Sequence, residues 1–381
     1  MRPGVSEERQ VVPRWRSFAN TVSTGELDSL QMASREARSA ELSLLRDTQA
    51  SSPSLYAAAD LLSALISDEQ HGPESDALMD YVAANHALPA TLAALHRELR
   101  TPKEASQSDQ GNGHTVLQAG VGAVISAVQG ARRRLQAQPR NAVTWVDLAL
   151  AHATLGSDKR AVRAMETAIA LAPNSRFVLR AASRLFVHME EPGKANYILN
   201  STPRVHVDPW LLAAEMSTAQ LANGRFSNVR AARELLSSEN FRPLALSELA
   251  SELATGEVQA GRDRRARMLF EQAFIEPTEN AVAQAAALAE LSDLRLHPSL
   301  LQVERGFEAR AISHARLGEW TAATAEAFSW QIDQPFALEP ILYGTYTASL
   351  GSSDFASAIE LAYRGLRAHP LDPMLNNNAA L

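Results

Sequence analysis

Apolar residues follow a helical rhythm between residues 142 and 175. In the second half of this stretch, residues at i, i+4, i+7 and i+11 fall on one face of a helix: Ala161, Met165, Ala168 and Ala172. Charged residues occupy the opposite face. The pattern predicts one helix from Ala142 to Leu155 and a second from Lys159 to Leu171. Gly156 is expected to end the first helix, because glycine tolerates the left-handed conformation found at helix C-termini.

Proline recurs at a spacing of 34 or 35 residues along much of the chain. The pairs at this spacing are Pro139 and Pro173, Pro209 and Pro243, Pro243 and Pro277, and Pro335 and Pro370. Proline ends a helix because it lacks the amide donor and clashes with the preceding turn. The spacing therefore indicates helix pairs that restart at a fixed period.

The unit from Ala142 to Ser175 resembles a tetratricopeptide repeat (TPR). The residues that carry the resemblance are Trp145, Leu148 and Ala149 in the first helix, Gly156 in the turn, Ala161, Met165 and Ala168 in the second helix, and Pro173 after it. His152 departs from the family pattern, which has an aromatic residue there. About six such units in near phase cover roughly residues 142 to 370. The resemblance implies an all-α fold, a right-handed α-solenoid of antiparallel helix pairs forming a TPR-like superhelix; the alternative is a generic helical bundle.

Three regions are predicted along the chain. Residues 1–100 form an N-terminal helical region, which is either a set of degenerate repeats or a separate cap. Residues 101–115 are poor in apolar side chains and predict a flexible linker. Residues 116–381 form the TPR-like array. Within it, Asn280–Leu291 is interpreted as the single helix of a degenerate unit.

The C-terminal end is predicted to begin a further unit without completing it. Residues Pro373–Leu381 give two turns of a helix that has no second helix to cover it. We therefore expect the array to be truncated there, in a longer native protein. We also expect possible self-association through this open C-terminal face.

Composition and motifs narrow the function further. The net charge is −7, which argues against a protein built to bind nucleic acid, and the chain has no cysteine, which excludes disulfides and thiol chemistry. No P-loop, zinc-binding His motif or nucleophile elbow occurs, and no apolar run is long enough to span a membrane. We expect a cytoplasmic protein without enzymatic activity, cofactor, catalytic residue or metal.

The remaining functional feature is a surface. In the tetratricopeptide family, the first helix of each repeat lines a concave groove that binds peptides or partner helices. Carried onto this sequence, the resemblance places in the groove the candidate partner-binding residues Val146, Leu150, Phe177, Arg180, Arg184, His188 and Glu215; Glu308 takes a groove position in a later unit. For Arg180 and Arg184 the alternatives are that they bind an acidic group of the partner, that they lie on a solvated helix face, or that they form a salt bridge to Glu215 on the next helix.

Two functions remain open at this stage. One is a protein–protein interaction scaffold that binds a partner protein or peptide in the concave groove. The alternative is a sensor or regulatory part of a larger multidomain bacterial effector, possibly nuclease-linked or anti-phage, whose catalytic domain lies outside this chain. The aromatic and basic segment Val12–Phe18 is interpreted either as a docking element or as a lead-in packed on the first repeats.

Overall fold

A computed structural model describes residues 9–18, 35–51, 53, 57–58, 61–62, 65, 72–84, 121–292 and 296–380. The chain divides into two compact units. Unit 1 comprises Met1–Arg16, Gln118–Ser237 and Pro243–Leu381, and unit 2 comprises Ser17–Leu117 and Ser238–Arg242. The predicted array therefore shares its unit with the first 16 residues of the chain, which the sequence assigned to the N-terminal region.

Unit 2 contains two of the described helices, α1 (Arg35–Ser51) and α2 (Pro73–Ala83). Arg46 in α1 forms a salt bridge of 2.8 Å with Glu74 in α2. The hydrogen bond from Arg46 lowers the pKa of the Glu74 carboxyl. The predicted linker at 101–115 lies outside the described residues.

Unit 1 is a succession of helices joined by short turns. It opens with α3 (Val121–Ala137) and continues as consecutive helix pairs. The pairs are α4 (Ala142–Thr154) and α5 (Asp158–Leu171), α6 (Arg176–His188) and α7 (Pro192–Asn200), α8 (Pro209–Asn223) and α9 (Val229–Leu236), and α10 (Pro243–Gln259) and α11 (Asp263–Ala273). After α12 (Glu279–Ser292) come α13 (Phe307–Arg316) with α14 (Trp320–Asp333), α15 (Glu339–Tyr346) with α16 (Phe355–Ala368), and α17 (Pro373–Ala380).

The described residues contain helices and no strand, so the predicted all-helical solenoid is confirmed. Capping follows the sequence: Asn141 and Ser175 accept hydrogen bonds from the first turns of α4 and α6. Small residues lie where the two helices of a pair meet. Both helices of these pairs carry fully buried alanines: Ala149 and Ala161, Ala182 and Ala195, Ala250 and Ala266, and Ala311 and Ala323. The alanines let the paired helices approach closely, which leaves the larger side chains to fill the space between units.

The unit that begins with α12 lacks a second α-helix in its described part. A short 3₁₀ helix, Pro298–Gln302, takes that place before α13 begins. The expected degenerate unit is therefore present, with a helix over Glu279–Ser292 where Asn280–Leu291 was predicted.

The two ends of the array come into contact with each other. The turn after α4 has Gly156 at a φ of 62°, and a Cβ there would lie 2.8 Å from the carbonyl oxygen of Arg367 at the end of α16. Glycine is required at this turn both by its backbone conformation and by the lack of space. The turn between α4 and α5 thus lies directly against the end of α16.

The C-terminal helix α17 packs against α16. Leu375 is fully buried and forms a cluster with Ile341 and Leu361. On the outer side, Leu371 is 91% exposed and Met374 is 49% exposed. The last helix therefore has one buried face and a neighbouring apolar surface in contact with solvent.

Candidate functional site

The first helices of successive units pack side by side and line a groove in unit 1. Helices α8, α10, α12 and α13 are in direct contact in that order. Residues 9–16 belong to the same unit and contact α10, α12 and α13, so they occupy this groove; they are called the N-terminal segment below. The segment has no regular secondary structure, and a tight turn links the Val12 amide to the Gln10 carbonyl at 2.8 Å.

Four side chains of the groove hold the backbone of the N-terminal segment. Glu252 of α10 accepts a hydrogen bond of 2.9 Å from the Val11 amide. Two side-chain amides of α12 donate to backbone carbonyl oxygens of the segment: Asn280 to that of Val12 at 2.9 Å, and Gln284 to that of Arg9 at 2.6 Å. The Gln334 side chain accepts a bond of 3.4 Å from the Trp15 amide. These hydrogen bonds hold the backbone of the segment, so they do not depend on the identity of its side chains.

Glu308 of α13 receives two arginines of the segment. Arg9 forms a fork with it, Nε to Oε1 at 2.7 Å and Nη2 to Oε2 at 2.9 Å, and Arg14 also donates to Oε2. Burial alone would raise the pKa of Glu308, but the two guanidinium groups override it and lower the pKa to about 2. The turn at Gln10–Val12 lets these two arginines, five residues apart, reach a single carboxylate.

Arg16 binds two further carboxylates. It forms a bidentate pair with Asp333 at the end of α14, with both bonds at 2.7 Å, and a bond of 2.8 Å to Glu279 at the start of α12. Burial opposes ionisation of both acids, yet the positive charge of Arg16 lowers the pKa of Asp333 and of Glu279. We call Glu279, Glu308 and Asp333 the acidic wall of the groove.

Trp15 enters an apolar part of the groove. Its side chain is 1% exposed, and its ring lies 5.1 Å from that of Phe336 at an angle of 58°. Val146 and Leu150 of α4 belong to the same buried cluster. We call Val146, Leu150 and Phe336 the apolar wall. The indole N–H of Trp15 has no hydrogen-bond partner among the described residues, so this wall holds the ring by burial alone.

Glu252 differs electrostatically from the acidic wall. Its carboxyl is fully buried, and burial raises its pKa to about 8. Its Oε1 has no hydrogen-bond partner within the described part of the chain. Glu252 is therefore mainly protonated at neutral pH and acts as an acceptor for the Val11 amide without adding a negative charge.

The cationic candidates predicted from the sequence have acidic partners within the helices. Arg180 pairs with Glu248 at 2.8 Å and covers the Trp210 ring, with 4.7 Å to its centroid. Arg184 pairs with Glu339 at 3.4 Å. Their acidic partners are thus residues of α10 and α15, and the predicted pairing with Glu215 does not occur.

The candidate His188 contacts the aromatic cluster of the groove. Its ring lies 5.2 Å from Phe336 and 5.0 Å from His369. Burial, reinforced by the charge of Arg184, lowers the pKa of His188 to about 3, so the imidazole stays neutral. Arg184 also covers Phe336, with 5.2 Å to the ring centroid.

The other candidates are less accessible. Val146 is fully buried and Leu150 is 8% exposed, both within the cluster that contains Trp15. Phe177 is half-buried against the same cluster. Glu215 is 2% exposed and accepts hydrogen bonds from Ser227 at 2.7 Å and from neighbouring asparagine side chains, beside a cleft of about 690 Å³.

Several residues that hold the segment do not stand out in the sequence. They are Glu252, Glu279, Asn280, Gln284, Asp333, Gln334 and Phe336. One signal is present: Asn280 and Gln284 are four residues apart in an alanine-rich helix, so they share a face. The family pattern assigns no groove positions to the degenerate unit, which is why it does not point to that face.

The described residues show neither a metal centre nor a membrane span. Among them, no three or more His, Asp or Glu side chains are grouped as metal ligands. Within the same residues, no helix combines the length and apolar character needed to cross a membrane.

Comparisons with known proteins give little beyond this geometry. No protein-family model matches the chain, and no curated protein matches it. Among solved structures, it is similar to a chain in the crystal structure of the APC/C hetero-tetramer Cut9-Hcn1, with 16% sequence identity and a TM-score of 0.39. The match covers 94% of this chain and 61% of that one, so this chain spans less than two thirds of its length. A TM-score this low supports no conclusion about function.

Proposed function

We propose that this chain is a protein-interaction scaffold that binds a peptide segment of a partner protein through the groove of its solenoid. The supporting observation is that the groove already holds a peptide segment, residues 9–16, by its backbone and by its side chains. A surface that satisfies the backbone groups of an irregular segment has the chemistry of a peptide-binding site.

The proposal is tested by cutting the segment free after folding. A protease recognition sequence is inserted between residues 18 and 35 of the full chain, and the purified protein is cleaved. We expect the N-terminal fragment to stay bound non-covalently, and to be replaced by a fluorescent synthetic peptide of residues 7–18. Fluorescence anisotropy measures the exchange, and native mass spectrometry gives a stoichiometry of one peptide per chain.

The matched control is the same cut chain carrying Glu308→Lys, which places a positive charge opposite Arg9 and Arg14 and should not take up the peptide. Circular dichroism checks that each cut protein keeps its helical content. A cut chain that stays helical, loses its fragment and takes up no peptide would contradict the proposal.

The alternative function, a regulatory part of a larger effector, would use the same groove. In that case, the partner segment would control a domain outside this chain.

We also propose that the chain associates weakly with itself through its C-terminal face. The exposed side chains of Leu371 and Met374 supply the apolar surface. Sedimentation velocity over a range of concentrations is expected to show a reversible dimer, which Leu371→Ser with Met374→Ser should abolish. A strict monomer at high concentration would contradict this expectation.

A further inference from the structure

We infer that the groove is specific for an arginine- and tryptophan-bearing peptide with the pattern Arg-x₄-Arg-Trp-Arg, and that the chain's own N-terminal segment occupies the groove in competition with such a partner. This inference rests on the proposed function, because it presupposes that the groove exchanges peptides. It adds the chemistry of the partner and an internal competitor.

The charges of the groove define the partner first. Three arginines of the segment face the three carboxylates of the acidic wall. Two other carboxylates, Glu248 and Glu339, are already neutralised by arginines of α6: Glu248 pairs with Arg180, and Glu339 pairs with Arg184. Release of the segment would take these three guanidinium groups away from the acidic wall, so an emptied groove must receive cations again.

The geometry favours arginine over lysine. Arg9 on Glu308 and Arg16 on Asp333 each use two nitrogens of one guanidinium on two oxygens of one carboxylate. A planar guanidinium fits this arrangement, whereas the ammonium of lysine is a single point charge. Arg14 adds a cation–π contact, with 5.9 Å to the Trp330 ring centroid.

Trp15 defines the apolar part of the pattern. Its ring is enclosed next to Phe336, and its N–H has no hydrogen-bond partner among the described residues. The wall therefore selects a large flat ring between two arginines, and a peptide that lacks this ring would leave the apolar wall uncovered.

The segment is built as an occupant rather than as part of the core. The apolar clusters of α8 to α17 are formed by the helices themselves and contain no residue of the segment. Within the described residues, Trp15 belongs to the cluster that includes the apolar wall, and Val11 is fully buried as well. The clusters of α8 to α17 named above therefore do not depend on the segment, which favours its exchange.

The covalent connection makes the segment a strong competitor. The segment is joined to α3 through residues 17–120, so its effective concentration is at most the ~1 mM that a short flexible connection reaches. A free peptide of the same sequence must therefore exceed that concentration to displace it. Weakening the segment within the chain should open the groove to the peptide.

The inference is tested on the full chain with the fluorescent peptide of residues 7–18. Wild type is compared with a variant that carries Arg14→Ala and Trp15→Ala in its own segment. We expect the variant to bind the peptide at least tenfold more tightly than wild type in anisotropy titrations. The matched control is Arg230→Ala, an arginine whose side chain is 94% exposed and pairs with Glu234 on its own helix; it should bind like wild type.

The pattern is tested with altered peptides on the same variant. Replacing the three arginines by lysine, or the tryptophan by alanine, should each weaken binding about tenfold or more. A peptide of scrambled order with the same composition should also bind more weakly. Equal binding of the scrambled peptide would overturn the inference, because the groove would then read only charge.

A second measurement covers the case in which the double variant fails to fold. Excess unlabelled peptide is added to wild type, and hydrogen exchange of the Val11 and Trp15 amides is followed by mass spectrometry. We expect exchange to accelerate as the peptide concentration rises. No acceleration at peptide concentrations well above the effective concentration of the tethered segment, about millimolar at most, would overturn the inference.

The outcomes separate the two proposals. If the cut chain takes up the peptide but the double variant binds no better than wild type, the groove is a peptide site and the internal competition is wrong. If the cut chain takes up no peptide, the proposed function itself fails. If the chain instead forms a dimer that the peptide dissociates, the groove is occupied by the segment of a second copy. That result would overturn the inference that the occupant is a partner protein.

Discussion

The acidic wall and the apolar wall of the groove hold the same segment by opposite means. The acidic wall is formed by α12, α13 and the end of α14, and it binds three arginines through charged hydrogen bonds. The apolar wall is formed by α4 and Phe336, and it encloses Trp15 without a hydrogen bond to its indole among the described residues. The first mode depends on complementary charge and the second on burial, so the two walls should respond differently to substitution and to pH.

The largest effect is expected when the acidic wall loses the carboxylate that binds two arginines. Glu308→Gln leaves Arg9 and Arg14 partly buried without their counter-ion, a change that costs about 3–5 kcal/mol for a buried pair. Once the segment leaves the groove its arginines are hydrated again, so the loss of stability cannot exceed the free energy that holds the segment in place. The change should therefore appear as hydrogen exchange of the Val11 and Trp15 amides that is faster by about 10²–10³-fold.

The matched control for this prediction is Glu304→Gln. That side chain lies four residues earlier and is 71% exposed. It should leave the exchange of both amides unchanged. If the Val11 and Trp15 amides exchange as slowly in Glu308→Gln as in wild type, the charge of Glu308 contributes little to holding the segment.

The apolar wall is tested next, with Trp15→Ala. Removing a fully buried aromatic side chain typically costs about 3–5 kcal/mol, here again up to the limit set by release of the segment. Trp15→Phe should restore most of the loss, because the native ring donates no hydrogen bond among the described residues. The amide exchange assay measures both variants, and equal loss in both would show that the indole N–H has a partner.

A smaller effect is expected from Glu252, in the opposite direction. Its pKa in the folded protein, about 8, lies above the ordinary value of about 4.3. The contribution of the protonated Glu252 carboxyl to the free energy of unfolding is therefore fully present below pH ~4 and is lost as the pH rises towards 8. Glu252→Gln keeps an acceptor for Val11 and removes this loss, so the variant should gain at least about 1 kcal/mol over wild type at pH 8 relative to pH 4.

Urea denaturation at the two pH values measures this difference. Glu308 provides the internal contrast, since its pKa of about 2 lies below the ordinary value. The contribution of the ionised Glu308 carboxylate to the free energy of unfolding is present above pH ~4.3 and is lost as the pH falls towards 2. A flat difference between Glu252→Gln and wild type from pH 4 to 8 would contradict the raised pKa.

The smallest effect is expected outside both walls, at Trp145. This ring is only half-buried, and its N–H donates a bond of 2.9 Å to the carbonyl of Pro139. Trp145→Ala should lower the free energy of unfolding by about 1–2 kcal/mol, less than a fully buried ring costs. Trp145→Phe separates the hydrogen bond from the packing, and a loss larger than that of Trp15→Ala would reverse the order proposed for the two rings.

The array was predictable because its causes are local. Helix spacing, the glycine turn at Gly156 and the paired alanines all follow from patterns within about 34 residues. The degenerate unit at α12 was also predicted, because its alanine-rich run is followed by a loop around His297 and Pro298.

The groove and its occupant were predictable only in part. Glu308 was placed at a groove position by the family pattern, but its contact with Arg9 spans 299 residues and leaves no periodic signal. The segment was recognised as basic and aromatic, with a position on the first repeats as one interpretation. The structure instead holds its arginines against α12, α13 and α14, because those helices carry the carboxylates that complement them.

The order in which the segment and its acidic wall follow each other along the chain has a consequence for biosynthesis. Arg9 is incorporated into the growing chain 299 residues before Glu308. At about 5–20 residues per second, roughly 15–60 s pass before the acidic wall exists. During that interval, the arginines and the tryptophan are available to any nascent-chain partner, and the segment can occupy its full groove only after α14 and Phe336 have been translated.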